Sequence, residues 1–226
     1  MRVRFPEPPN GWQAFAFEFV TIVLGVLVAL GAQELVQSVH WRTEVRTTRK
    51  ALDAELARNR AVFDYRFGQR ACVGARLSEL RRWATDLRES KSVPLKHEIE
   101  EPPFFATRTA AWEITDGEIA ARIPLDAKLN YAAFYDGIRR YDQMRNDEAE
   151  AWAKLGEFES STRLNEEDYR EVKRALDDIE DVNTSIMAFR APFDRFSRAL
   201  NISPDESLEI GNPLVKQWND DFCRPL

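Results

Sequence analysis

Two histidines, two cysteines and a few close-set acids are the residues here that could do chemistry, and their spacing decides which chemistry. His40 follows an apolar run and His97 lies in a proline-bearing loop, far from it in sequence. No HExxH, glycine-rich phosphate loop, GxSxG or cysteine cluster accompanies them, so no metal-hydrolytic, phosphoryl-transfer or acyl-transfer site is spelled out. Asp177-Asp178 and Asp220-Asp221 could hold a cation, but such pairs on a helix or in a tail are more commonly solvated surface charge. Trp112, Tyr131, Tyr135 and Arg139 could line a small-molecule pocket in a helical bundle, and the competing use of the same rings is core packing. Cys72 and Cys223 fit no metal or CxxC spacing. In an oxidising compartment they could tie an early helix to the C-terminus, a bridge that stabilises by roughly 4–5 kcal/mol in the chain-entropy treatment; the alternative is two unrelated buried thiols. No catalytic residue, cofactor or metal site is expected.

The elements that must position these residues begin with "FEFVTIVLGVLVALGAQ", residues 17–33. From Trp12 to Ala32 the strongly polar side chains are Gln13 and Glu18, and the run matches the ~20 residues a helix needs to cross ~30 Å of hydrocarbon. Trp12 and Trp41 bracket it as interfacial aromatics would. The preceding "RFPEPPNGW" is broken by prolines, so the helix is expected to start near Asn10 or Gly11, with Asn10 as its cap. A cleaved signal peptide ending near Ala32 is the rival; the long proline-rich start and the unbroken helical pattern into 33–45 favour an uncleaved anchor.

A carboxylate inside a span is costly, so Glu18 needs a reason. At 3.6 residues per turn Glu18, Gly25 and Ala29 share a stripe with Thr21 and Ala32 beside it, while Phe19, Val20, Val23, Leu27 and Leu30 lie opposite. Gly25 and Ala29 allow close helix approach, and Glu18 or Thr21 could hydrogen-bond across the contact. The expected partner face is therefore Glu18, Thr21, Gly25 and Ala29, directed at another membrane protein or a second copy rather than at lipid.

Beyond the anchor the composition is globular, with 31% charged and 44% apolar residues, nine glycines and a net charge of -6. That balance predicts an all-α domain and argues against nucleic-acid binding. No Pro or Gly occurs over 32–67, so the anchor helix is expected to run on, with Val45, Leu52, Leu56, Phe63 and Phe67 on one face. Val73, Leu77, Leu80, Ala84 and Leu87 form the next apolar face, followed by a loop at 90–105, a short helix near "TRTAAWEI", a turn at Asp116-Gly117 and a long helix over 125–157 starting after Pro124. Asn165 caps the last helix. Val172, Ile179, Ile186, Phe193 and Leu200, with Ala175, Val182, Phe189 and Phe196, make an a/d seam in which Pro192 should place a kink. Partner helices for this seam are sought in the anchor's continuation and in 125–157, giving an antiparallel bundle; an intermolecular coiled coil is the competing use. Trp218 and Phe222 in the tail are expected to pack back on the bundle. The organisation read is thus a tail at 1–11, an anchor at 12–33, a bundle at 34–200 and a packed tail at 201–226.

The anchor "FEFVTIVLGVLVALGAQE" and the segment "TAAWEITDGEIAARIPLDAKLNYAAFYDGI" resemble a group of uncharacterised bacterial single-span proteins carrying a helical domain of unknown function. The proline-rich start and the cysteine pair depart from that group's pattern. Arg2 and Arg4 before the span and Arg42, Arg46, Arg49 and Lys50 after it leave orientation open. The resemblance implies an inner-membrane anchor with the domain in the periplasm. The function expected is a non-enzymatic, membrane-anchored subunit or scaffold; the alternative is a periplasmic ligand-binding sensor acting through a separate partner.

Overall fold

The computed structural model describes residues 11–91, 94–115, 117–205 and 212–226. Asn10 and the rest of the proline-rich start, and Asp116 of the expected turn, lie outside the described residues. The chain divides into two compact units, one ending at Thr48 and one beginning at Arg49. Helix α1 is continuous over Gly11–Gly68, as the Pro- and Gly-free stretch predicts, and Gly11 starts it at φ +82°, a conformation glycine adopts without strain. In the first unit α1 holds the one stretch among the described residues long and apolar enough to cross a membrane, and none of that stretch is buried within the protein. Its large apolar side chains, Phe17, Ile22, Leu27 and Leu30 among them, are all exposed.

The second unit is all-α among its described residues: the end of α1, α2 (Arg70–Arg88), α3 (Ala110–Glu113), α4 (Gly117–Arg122), α5 (Leu125–Gly156), α6 (Glu166–Ala188), α7 (Arg190–Leu200) and α8 (Pro213–Phe222). The predicted apolar faces are buried at Leu52, Leu56, Phe63 and Phe67 on α1, where Val45 is half-buried, and at Val73, Leu77, Leu80, Ala84 and Leu87 on α2. Asn165 caps α6 by accepting from the Glu167 and Asp168 amides while Asp168 reaches back to the Asn165 amide, a capping box. The seam breaks where expected. Pro192 has no amide to offer the Ala188 carbonyl four residues earlier, α6 ends at Ala188, and α7 resumes at Arg190. Asn201, left-handed at φ 57°, closes α7.

Of the seam positions Val172, Ala175, Ile179, Ile186 and Phe193 are buried, whereas Val182, Phe189, Phe196 and Leu200 are half-buried. α6 packs on α5 and on α2, and α7 packs on α5. Phe193 also lies 3.6 Å, centroid to centroid, from Phe63 of α1. The seam is therefore used within one bundle. Its partners include α2 as well as the two helices expected.

Direction follows from the contacts. Arg88 sits over Tyr169, Arg81 pairs with Asp177, Arg190 covers Phe67 and Arg60 pairs with Asp194, so α6–α7 runs antiparallel to α1–α2. Asp53 bonds Tyr131, Phe63 packs on Tyr141 and Arg66 pairs with Glu148, so α5 runs parallel to α1. A parallel pair needs a crossover as long as the bundle. The segment 89–109, longer than the loop expected at 90–105, supplies it. Gln69 Nε2 donates to the Pro103 carbonyl, Arg58 to the Ala106 carbonyl, and Asn59 exchanges two hydrogen bonds with the Arg108 backbone, which pins the segment backwards along α1.

Gly137 of α5 lies against the junction of α6 and α7, where an added Cβ would be 3.1 Å from the Phe189 ring and 3.5 Å from Phe193. Gly137→Val is expected to lower stability by about 1–3 kcal/mol through overpacking, measured as a shift in the urea midpoint.

Candidate functional site

The aromatic group predicted around Trp112 comes together in part. Its pieces are held by carboxylates on α1. Tyr131 donates its hydroxyl to Asp53, and Tyr135 donates to Glu55 Oε1 at 2.6 Å. Glu55 Oε2 accepts the Ala111 amide at 2.9 Å, fixing the start of α3, and Trp112 stacks on Tyr135 at 5.0 Å with the rings 18° from parallel. Tyr131 and Tyr135 are fully buried and the half-buried Trp112 covers Tyr135, so these side chains are packed onto α1. Arg139 stands apart. It is exposed and pairs with Asp136 one turn back on its own helix. The rings of the expected pocket serve core packing, and Arg139 does not join them. The cause is the Asp53 and Glu55 carboxylates, which draw the phenols onto α1.

Burial, reinforced by the hydrogen bond to Asp53, raises the Tyr131 hydroxyl to about 12, and burial raises Tyr141 to about 12 as well. A tyrosine near 10 when unfolded and near 12 when folded keeps its proton better in the native state. The stability it contributes is complete below pH 10 and is lost as pH rises toward 12. Alkaline unfolding is therefore expected to steepen over that window, and Tyr131→Phe to flatten it, in a pH series of urea midpoints.

On the apolar stretch of α1, Glu18, Thr21, Gly25 and Ala29 are all exposed, and a Cβ added to Gly25 would meet open space. Thr21 Oγ1 donates to the Phe17 carbonyl at 2.8 Å, so its proton is used within the helix and its oxygen remains an acceptor. Of the pair expected to hydrogen-bond outward, Glu18 makes no side-chain hydrogen bond among the described residues.

Cys72 of α2 and Cys223 just beyond α8 are joined in a disulfide, with Cα atoms 4.9 Å apart across 151 residues. The tail packs as expected through Phe222, which is buried edge-on to Trp152 at 6.1 Å. Trp218 does not pack back. It is 56% exposed, because α8 turns Val215 and Phe222 inward and leaves Leu214 and Trp218 on the other side.

The feature that spacing did not point to is a buried charge hub. Arg66 of α1 donates through Nη2 to Glu148 Oε1 of α5 at 2.7 Å and to Asn183 Oδ1 of α6 at 3.1 Å. Glu148 Oε2 accepts from Arg145, whose Nη2 lies 3.5 Å from Glu101 in the crossover. Arg66 and Glu148 are 1% and 0% exposed. The signal was present in the periodicity. Leu52, Leu56, Asn59, Phe63 and Arg66 continue one helical stripe, as do Tyr141, Arg145, Glu148 and Trp152, so charged residues occupy core positions of otherwise apolar faces.

His40 packs beside Trp41 at 5.5 Å, and Asp177 and Asp221 are each ion-paired, to Arg81 and Arg224. Among the described residues no group of three or more His, Cys, Asp or Glu is placed to hold a metal ion. No family model, curated protein or solved structure matches the chain.

Proposed function

We propose that this chain is a non-enzymatic, membrane-anchored subunit that docks a partner helix through the Glu18, Thr21, Gly25 and Ala29 face of α1. The observation that carries the reading is the pairing of a carboxylate with small residues on one stripe of an apolar helical stretch that is unburied within the protein. In hydrocarbon a charged or polar group facing lipid is costly, and a glycine offers close approach only to another helix. A second copy of the chain and a different membrane protein are both partners of this chemistry.

The bundle follows the anchor in sequence and is read as the part that meets soluble components. Its disulfide is the kind of bond that persists in oxidising compartments, which supports a periplasmic domain on an inner-membrane anchor, as the resemblance to single-span bacterial proteins also implies.

The test is extraction of the full chain from its own membrane in mild detergent, with the mass of the extracted species measured. A complex is expected, and Gly25→Leu is expected to weaken it by about 1–2 kcal/mol. A chain that emerges alone, or a complex indifferent to Gly25→Leu, removes the docking face.

A further inference from the structure

We propose that the cleft beside the disulfide is a binding site for a small molecule carrying both a carboxylate and an ammonium group, of the kind an α-amino acid presents. The cleft has a volume of 510 Å³ and lies between α2, the crossover around His97 and the end of α8. That is the size of a small-ligand site. It belongs to the bundle alone, so the inference holds whether or not the anchor docks a partner.

Arg76 sets one half of the chemistry. It lines the cleft and is 4% exposed. Its Nη2 donates to the carbonyls of Phe222 at 2.5 Å and Arg224 at 2.9 Å, but its Nη1 is buried and meets no acceptor. A buried guanidinium with a free N–H is an unmet demand for an anion, best answered by a carboxylate. Burial holds the Arg76 pKa below the ordinary guanidinium value, while the Glu79 and Glu100 carboxylates act in the opposite direction.

Glu98, Glu100 and Glu159 set the other half. Asp221 and Arg224 satisfy each other at 2.9 Å, which leaves Arg76 and Lys96 facing three carboxylates. An inorganic anion would meet those carboxylates, and a simple amine would leave Arg76 unanswered. A zwitterion answers both, with its carbon skeleton against Leu95 and Phe222. The Cys72–Cys223 bond holds the Phe222 and Arg224 wall in place.

Isothermal titration of the full chain in detergent micelles tests this with three probes: L-lysine, cadaverine, which lacks the carboxylate, and glutarate, which lacks the ammonium. L-lysine is expected to bind, and each of the others to bind at least about tenfold more weakly. Arg76→Gln is expected to lower L-lysine affinity by about tenfold or more. Because Arg76 also holds the chain end, Glu159→Gln serves as the second variant, with affinity falling about fivefold and the ligand-free unfolding midpoint unchanged. No heat from L-lysine up to about 10 mM, cadaverine or glutarate equal to L-lysine, or wild-type affinity in Glu159→Gln overturns the proposal.

Discussion

Glu148→Ala is expected to cost about 3–5 kcal/mol of folding free energy, the loss typical of removing one partner from a buried ion pair. The side chain is completely buried and is the acceptor for both Arg66 and Arg145. Without it two guanidinium groups lie in the bundle core, with Asn183 and the more distant Glu101 as their remaining acceptors. The hub joins α1, α5, α6 and the crossover, so the loss should appear as a lower urea midpoint for the whole second unit. A triple replacement, Arg66→Met and Arg145→Met with Glu148→Leu, should recover most of the stability, since apolar side chains of similar volume replace a complete buried ionic group at little cost. A loss below about 1 kcal/mol for Glu148→Ala would mean that the hub behaves as a solvated surface pair.

Removing the Cys72–Cys223 bond is the second large effect. The bond closes a loop of 151 residues, and loss of that constraint on the unfolded chain corresponds to about 4–5 kcal/mol. Cys72→Ser should approach this loss, and so should reduction with dithiothreitol, which can reach both cysteines because each is only half-buried. The structural consequence is local to the tail. α8 is otherwise held by Phe222 against Trp152, by Arg76 on two carbonyls and by Gln69 on Asn219. Protease cutting after reduction should therefore begin within 201–226, before the helices of the bundle are cleaved. Equal unfolding midpoints for the oxidised and reduced chains would show that the covalent link contributes nothing.

Periodicity carried most of the helical architecture. The apolar stripes of α1 and α2 and the inward positions Val172, Ile179, Ile186 and Phe193 are read directly from spacing, because a residue every three or four places must face a core or waste its burial. Pro192 and Asn165 mark their boundaries through a missing amide and a capping carboxamide, both local effects. The crossover was not legible. The 89–109 segment has no repeat, and its position depends on side chains of α1, Arg58, Asn59 and Gln69, bonding to its backbone from more than thirty residues away. The parallel pairing of α1 with α5 follows from that crossover and was hidden with it.

The candidate site divides in the same way. The anchor stripe is a property of one helix and could be drawn from sequence, whereas Arg66 and Glu148 are 82 residues apart and look like ordinary surface charges until their stripes are followed. Trp112 and Tyr135 stack on each other, yet the acids that claim the phenols of Tyr131 and Tyr135, Asp53 and Glu55, come from a different helix. The cleft at Arg76 depends on chain segments nearly 150 residues apart, brought together by the disulfide.

The central claim is that one side of the apolar helix faces protein. A photo-crosslinking amino acid placed singly at Thr21 or Ala29, and in separate chains at Val23 or Leu30, tests it in the intact membrane. The account predicts covalent adducts to a polypeptide from positions 21 and 29 and adducts to lipid alone from 23 and 30. Lipid adducts alone from all four positions would contradict it.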